Sequence, residues 1–214
     1  MKTPHDFTIG VPAVCTLYLA EIQRLQTHGP YHIGGWSAGG VMAYEVTLGL
    51  VAMGETVSTL FLIDSPCPIE LKPLPVRLFS YFDELGLLGG RGAGSTPAWL
   101  IPHFESSVRE LAAYEPRPMP AGTSLRIIAV WARDGVCEER KTPRFEWTGN
   151  GEEEPRTIKW LLEKRTDFGH NGWGKLVGQN RIHIHVVEGN HFSMMGGTQV
   201  TALGDLIRQE LMAG

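Results

Sequence analysis

The sequence predicts an α/β fold: a mostly parallel sheet flanked by helices, with a helical lid inserted into it. Three observations predict it. Short apolar runs of strand length alternate with segments of helical periodicity. A Gly-x-Ser-x-Gly turn joins one such run to the helix that follows it. From residue 66 to about 122 the alternation gives way to amphipathic stretches around prolines and a glycine-rich break.

Taken in order, residues 13–27 set Val14, Leu17, Tyr18, Ile22 and Leu25 at helical spacing. GPYHIGGW then reads as a turn and a short buried strand. Residues 38–53 read as a helix stopped by Gly54, and residues 57–63, VSTLFLI, have the length of a buried parallel strand. Pro66, Pro68 and Pro73 open the insertion, in which LPVRLFSYFDELGLLG and AWLIPHFESSVRELAAYEP are amphipathic. Strand character returns at 125–131, LRIIAVW. Residues 138–156 are charged and rich in turn formers, so an exposed loop is expected. Residues 157–177 read as a helix and an irregular connection, 181–187 (RIHIHVV) as a strand, and 197–212 as a closing amphipathic helix.

Composition narrows the function. The 214 residues suffice for one domain, expected to span 1–214, and 43% apolar with 20% charged residues is ordinary for a globular chain. The net charge is −4 and no Lys/Arg block stands out, so nucleic acid is not an expected partner. The apolar stretches are too short and interrupted to span a bilayer, so no membrane association is expected. The N-terminus MKTPHDFTIG lacks the apolar core of a secretory signal. Cys15, Cys67 and Cys137 are odd in number and contain no CxxC, which argues against a disulfide framework or a zinc site. A reducing, cytoplasmic setting fits that usage.

The strongest chemical signal is Gly35-Trp36-Ser37-Ala38-Gly39. A strand precedes it and a helix follows, which is the context of the nucleophile elbow of an α/β-hydrolase. The elbow needs a tight turn that exposes the serine hydroxyl, and side chains two residues away on either side are expected to collide there. The helix N-terminus aims unpaired N–H groups at the site, and the Ala38 N–H is the expected oxyanion donor.

Ser37 then needs a base held by a carboxylate. The chain order for this fold is serine, acid, histidine. His191 follows the strand RIHIHVV in the turn EGNHFSMMGG, just before the last helix. His183 and His185 alternate on that strand and read as structural. His32 lies inside the strand before the elbow, while His28, His103 and His170 fall in turn or lid segments. Asp64 and Asp134 each end a strand at the carboxyl edge of the sheet, and the pattern alone leaves both open as the acid.

These residues together resemble a known family. HGPYHIGGWSAGGVMAYEV, LFLIDSPCP, WARDGVC, WLLEKRTDFGHNGW and GNHFSMM are similar to the thioesterase/Claisen-cyclase domain of fungal non-reducing polyketide synthases, from about residue 10 to the C-terminus. The resemblance implies that Ser37 accepts the acyl group, that Asp64 in IDSP is the acid, and that His191 in GNHF is the base. It implies a lid from Pro66 to about Pro120 over a substrate chamber. It also implies a carrier-protein-bound polyketide as substrate, delivered on the carrier's phosphopantetheine arm. Release follows either by Claisen-type ring closure or by hydrolysis. No metal or organic cofactor is required by such chemistry. The family's domain begins well before this chain does, so the N-terminal strands, roughly 60 residues by ordinary element lengths, are expected to be absent.

Leu78, Phe79, Phe82, Leu85, Leu88, Trp99 and Phe104 are candidates for the chamber lining; each also fits the core of a lid helix. Two alternatives stay open. One is a simple carboxylesterase acting on small esters; the other is a non-catalytic, truncated remnant.

Overall fold

Strand formation follows the apolar runs. A computed structural model describes residues 9–69, 71–88, 96–149 and 152–213. Its four strands are β1 (Tyr31–Trp36), β2 (Val57–Ile63), β3 (Arg126–Ala132) and β4 (Ile182–Val187). They form one parallel sheet in the order β1-β2-β3-β4. Parallel strands need crossovers, and helices supply them. Helix α1 (Val11–Leu25) precedes β1, and α2 (Ala38–Ala52) links β1 to β2. Helices α3 (Val76–Glu84) and α4 (Leu100–Ala113) lie between β2 and β3. Helices α5 (Val136–Arg140), α6 (Arg156–Leu162) and α7 (Gly174–Val177) lie between β3 and β4, and α8 (Gly197–Met212) closes the chain.

The expected elements are present with boundaries shifted by a few residues. Helix α1 begins at Val11, two residues earlier than expected, after a glycine with φ 80°. One expectation needs correcting. The stretch 138–156 is not all loop, because α5 runs into it. Its Val136 is fully buried against Ile158 and Leu162 of α6. Tertiary burial, rather than helix propensity, supports so short a helix.

The central strands are apolar on both faces, as sheets covered on both sides require. Leu60 and Leu62 of β2, with Ile127, Ala129 and Trp131 of β3, belong to one buried cluster with residues of α1, α2, α4 and α7. The alternate residues Phe61, Ile63, Ile128, Val130 and Ala132 meet Leu203 of α8 and Met194. Gly49 lets α1 approach α2 closely, since a Cβ there would strike the Leu19 side chain. Buried Glu45 of α2 accepts hydrogen bonds from Tyr114 (2.5 Å) and Arg117 (3.2 Å), which tie the end of the insertion to α2.

A third cluster belongs to the insertion. Leu78, Phe79 and Phe82 of α3 pack on Val136, Phe145, Ile158, Leu161 and Leu162. The Tyr81 hydroxyl donates to the Pro143 carbonyl (2.8 Å), and the Arg77 guanidinium lies 5.5 Å from the Phe145 ring centre. Helix α3 is thereby fastened to the segment after α5.

Strand register fixes where the strands stop. Trp36 pairs with Ile63, Ile63 with Val130, and Ala132 with Val187. The residues that follow, Ser37, Asp64, Asp134 and the turn carrying His191, therefore share the carboxyl edge. At the opposite edge a cavity of about 980 Å³ is bordered by Pro30, His32, Thr59, Arg126 and Arg181. Ligands of open parallel sheets gather at the carboxyl edge, so the site is sought there.

Candidate active site

Ser37 stands between the last residue of β1 and the first of α2, with φ 56° and ψ −129°. A non-glycine residue is held at positive φ only when its surroundings fix it. Here the Ser37 N–H donates to the Ile63 carbonyl (2.9 Å), which extends the ladder by one residue. The two glycines of the turn are not equivalent. A Cβ on Gly35 would collide with the Gly39 carbonyl, whereas one on Gly39 would meet nothing. The second steric limit falls instead on Gly40, whose Cβ would strike the Ser65 side chain. The expectation of a collision on both sides of the serine is corrected accordingly: the crowded partner of Gly35 is one position further on. Ala38 is the first residue of α2, so its N–H has no acceptor within the helix.

Asp64 follows β2 with φ 45°, a second residue at positive φ beside the first. Its carboxylate is fully buried and receives four donors. The Ala132 N–H donates to Oδ1 at 2.9 Å. His191 Nδ1 lies 2.8 Å from Oδ2. Arg165 donates through Nη1 to Oδ1 and through Nη2 to Oδ2, the latter at 2.8 Å. Burial alone would push the Asp64 carboxyl up, but the hydrogen bonds from Arg165 and His191 hold it below the usual carboxylate range. Asp134, the other aspartate open from sequence, turns elsewhere: it accepts from the Gly189 N–H (3.2 Å) and pairs with Arg133.

His191 is shaped by its turn. Gly189 takes φ 91°, and the Asn190 side chain accepts from the N–H groups of Phe192 (2.8 Å) and Ser193 (3.0 Å), starting a short 3-10 turn. The imidazole is nearly buried within aromatic rings. Trp36 stacks on it at 4.8 Å between ring centres, Trp160 lies tilted at 5.4 Å, and Phe192 meets it edge-on at 5.1 Å. The Trp36 indole N–H also donates to the His191 carbonyl (3.0 Å). Trp36 precedes Ser37 directly, so this double contact brings the base candidate to the elbow. With Nδ1 turned to Asp64, Nε2 is the nitrogen left for Ser37. Three other histidines have partners elsewhere: His185 pairs with Glu210, His28 with Glu55, and His32 with Thr59.

The chamber candidates divide. Phe82 packs edge-on against Phe192 at 4.9 Å and thus reaches the aromatic shell of His191. Phe79 stacks on Phe104 of α4 at 5.1 Å. Leu78, Phe79 and Phe82 are buried, Leu85, Leu88 and Phe104 are half-buried, and Trp99 is exposed. Among the described residues, no group of three His, Cys, Asp or Glu side chains is placed to hold a metal ion.

Two residues at this edge go unnoticed in a reading of the sequence by motif. Arg165 is nearly buried, and its Nε donates to the Trp160 carbonyl (3.1 Å) while its plane lies over the Trp160 ring at 4.1 Å. Trp173 donates from its indole nitrogen to the Ser65 carbonyl (3.0 Å). Both belong to the stretch RTDFGHNGW, and they fix the Asp64-Ser65 pair from two sides. The only signal in the sequence is that stretch itself, an arginine and a tryptophan in an otherwise irregular connection.

Known proteins share this arrangement of sequence and fold. The thioesterase-domain family model matches residues 2–74. The chain is 51% identical over 99% of its length to the non-reducing polyketide synthase Preu8 of Preussia isomera, covering 10% of that protein. It is 46% identical over 97% of its length to the non-reducing polyketide synthase terA of Aspergillus terreus, again covering 10%. The chain thus spans about a tenth of the length of the curated relatives it matches. Among solved structures, the NocB thioesterase domain in covalent complex with a fluorophosphonate nocardicin G analogue superposes with a TM-score of 0.63 at 20% identity, over 95% of this chain and 75% of that one. That likeness shows the fold alone, a parallel sheet flanked by helices. The thioesterase model thus covers the first third of the chain, and nearly its whole length is similar to about a tenth of these fungal non-reducing polyketide synthases.

Proposed function

We propose that this chain is a thioesterase that takes a carrier-protein-bound polyketide onto Ser37 and releases it. One observation carries the reading: His191 is hydrogen-bonded to Asp64 and stacked on Trp36, the residue next to Ser37. In the proposed acylation, His191 Nε2 takes the proton of Ser37 as its Oγ attacks the thioester carbon. The Ala38 N–H receives the oxyanion. The carbon–sulfur bond breaks, and the leaving thiolate of the carrier's phosphopantetheine arm takes the proton from His191. The acyl group is then an ester on Ser37. This sequence of steps calls for no metal or organic cofactor of the protein's own.

Two releases are chemically balanced. In hydrolysis, His191 takes a proton from water, hydroxide attacks the ester, and a free acid leaves as Ser37 regains its proton. In Claisen-type cyclisation, His191 takes a C–H proton between two carbonyls of the bound chain. The carbanion attacks the ester carbon, a ring closes, and Ser37 leaves and regains the proton.

A fluorophosphonate probe tests the site. We expect one label per chain on Ser37, lost in Ser37→Ala; a folded wild-type sample that takes no label refutes the reading in favour of a non-catalytic module. Turnover of carrier-bound thioesters against small esters separates the thioesterase from a simple esterase. Product analysis with a polyketide mimic on Ser37 decides the release, and exclusive formation of free acid refutes cyclisation.

A further inference from the structure

Asp64 does not serve His191 alone. Its two oxygens accept from Arg165, Ala132 and His191 together, and Arg165 uses all three of its nitrogens, two on Asp64 and one on the Trp160 carbonyl. The guanidinium carbon also lies over the Trp160 ring, 4.1 Å from its centre, and that ring neighbours the His191 imidazole. We propose that Arg165 is a positioning residue for this site: its planar fork fixes the Asp64 carboxylate and offsets its charge, and so sets how far into acid His191 remains able to take a proton. The proposal deepens the reading of Ser37, Asp64 and His191 given above and rests on it.

The geometric half of the argument is rotational. Without Arg165 the carboxylate would keep one bond to each oxygen, from the Ala132 N–H and from His191, and could still rock about its last bond. Two parallel bonds to one rigid guanidinium remove that freedom, and lysine cannot make them. The bond to His191 Nδ1 then has one direction, which fixes the ring and aims Nε2.

The electrostatic half is a count of charges. With neutral His191, the buried group holds one carboxylate and one guanidinium and is neutral. Protonating His191 makes it a cation inside an apolar shell. Without Arg165 the same protonation would make it neutral. Arg165 therefore disfavours the imidazolium relative to a site lacking it. Among the described residues, no other charge is recorded in contact with the ring. Trp36 faces it from β1, Trp160 from α6, and Phe192 from its own turn, with Phe82 of α3 behind Phe192. On the neighbouring loops, Asp134 and Glu188 are paired with Arg133.

The test is the pH dependence of fluorophosphonate labelling of Ser37 in wild type, R165Q and R165K, with the His191 ring protons titrated by NMR and assigned by their loss in His191→Gln. In R165Q we expect the acid limb of labelling to move to higher pH, with the His191 resonances following it. In R165K the charge remains, so we expect the limb to stay in place while the maximal rate falls about tenfold, because one ammonium cannot hold both oxygens. An R165Q profile that superposes on wild type overturns the proposal. Should R165Q fail to fold, R165K decides it, and a wild-type maximal rate in R165K overturns it. If wild type itself takes no label, the proposed function fails. The His191 titration needs no reaction at Ser37 and still decides the role of Arg165.

Discussion

At the scale of single residues, the elbow separates glycines by what surrounds them. Gly35 lies against backbone, where a methyl group cannot be accommodated by a side-chain shift. We expect Gly35→Ala to cost about 3 kcal/mol or more by overpacking. Gly39 faces open space in the first turn of α2, so we expect Gly39→Ala to be neutral or to stabilise by up to about 1 kcal/mol. Denaturant unfolding of the two variants checks this, and equal losses would refute the distinction. Both glycines belong to the same five-residue motif, and nothing in that motif tells them apart. The difference depends on where the helix backbone returns, which is a property of the folded turn. Arg165 is illegible for a similar reason. Its partner is 101 residues away, and an arginine in an irregular stretch reads as surface until the carboxylate it clamps is in view. The candidates Ser37 and His191 are legible because each follows directly on, or a few residues beyond, a strand whose apolar run marks its end; Asp64 shares that position with Asp134, so the pattern leaves the two open.

At the scale of elements, α3 connects the insertion to the site. Phe82 is buried under the insertion and touches Phe192, which touches His191. Removing the ring leaves a cavity and frees one wall of the aromatic shell. We expect Phe82→Ala to cost about 3–5 kcal/mol and to slow labelling of Ser37 in the fraction that remains folded. Leu161→Ala in the same cluster serves as the control, with a stability loss of about 2–5 kcal/mol and an unchanged labelling rate. Equal labelling rates in the two variants would disconnect α3 from the site. The helices and strands themselves were within reach of periodicity, because long apolar runs and 3.6-residue spacing survive folding. Helix α5 was not, since a five-residue helix carries no period of its own and is held by the burial of Val136. The chamber candidates in α3 show the same limit. Their spacing marks one apolar face, and that face is shared between the α6 contact and the ring shell of His191.

At the scale of the whole molecule, one buried ion pair links acid stability to the site. Asp64 is held below the usual carboxylate range in the folded chain. Its contribution to stability is therefore complete above the unfolded carboxylate range and lost as pH falls through the folded value. We expect wild-type stability, followed by denaturant unfolding at a series of pH values, to decline in acid with Asp64 among the causes. Asp64→Asn leaves Arg165 buried without its anion, so at neutral pH it should cost about 3–5 kcal/mol. The same variant should show a shallower acid decline; a decline as steep as wild type would remove Asp64 from the causes. The layered architecture is legible from the alternation of runs, whereas the strand order depends on pairings between distant segments that no local pattern encodes. Those distances have a temporal consequence. The indole of Trp36 bonds to a carbonyl 155 residues further along the chain. During synthesis the serine emerges from the ribosome long before the imidazole does, so a nascent or prematurely terminated polypeptide carries an idle hydroxyl. In the proposed mechanism its activation waits for the last strand to dock.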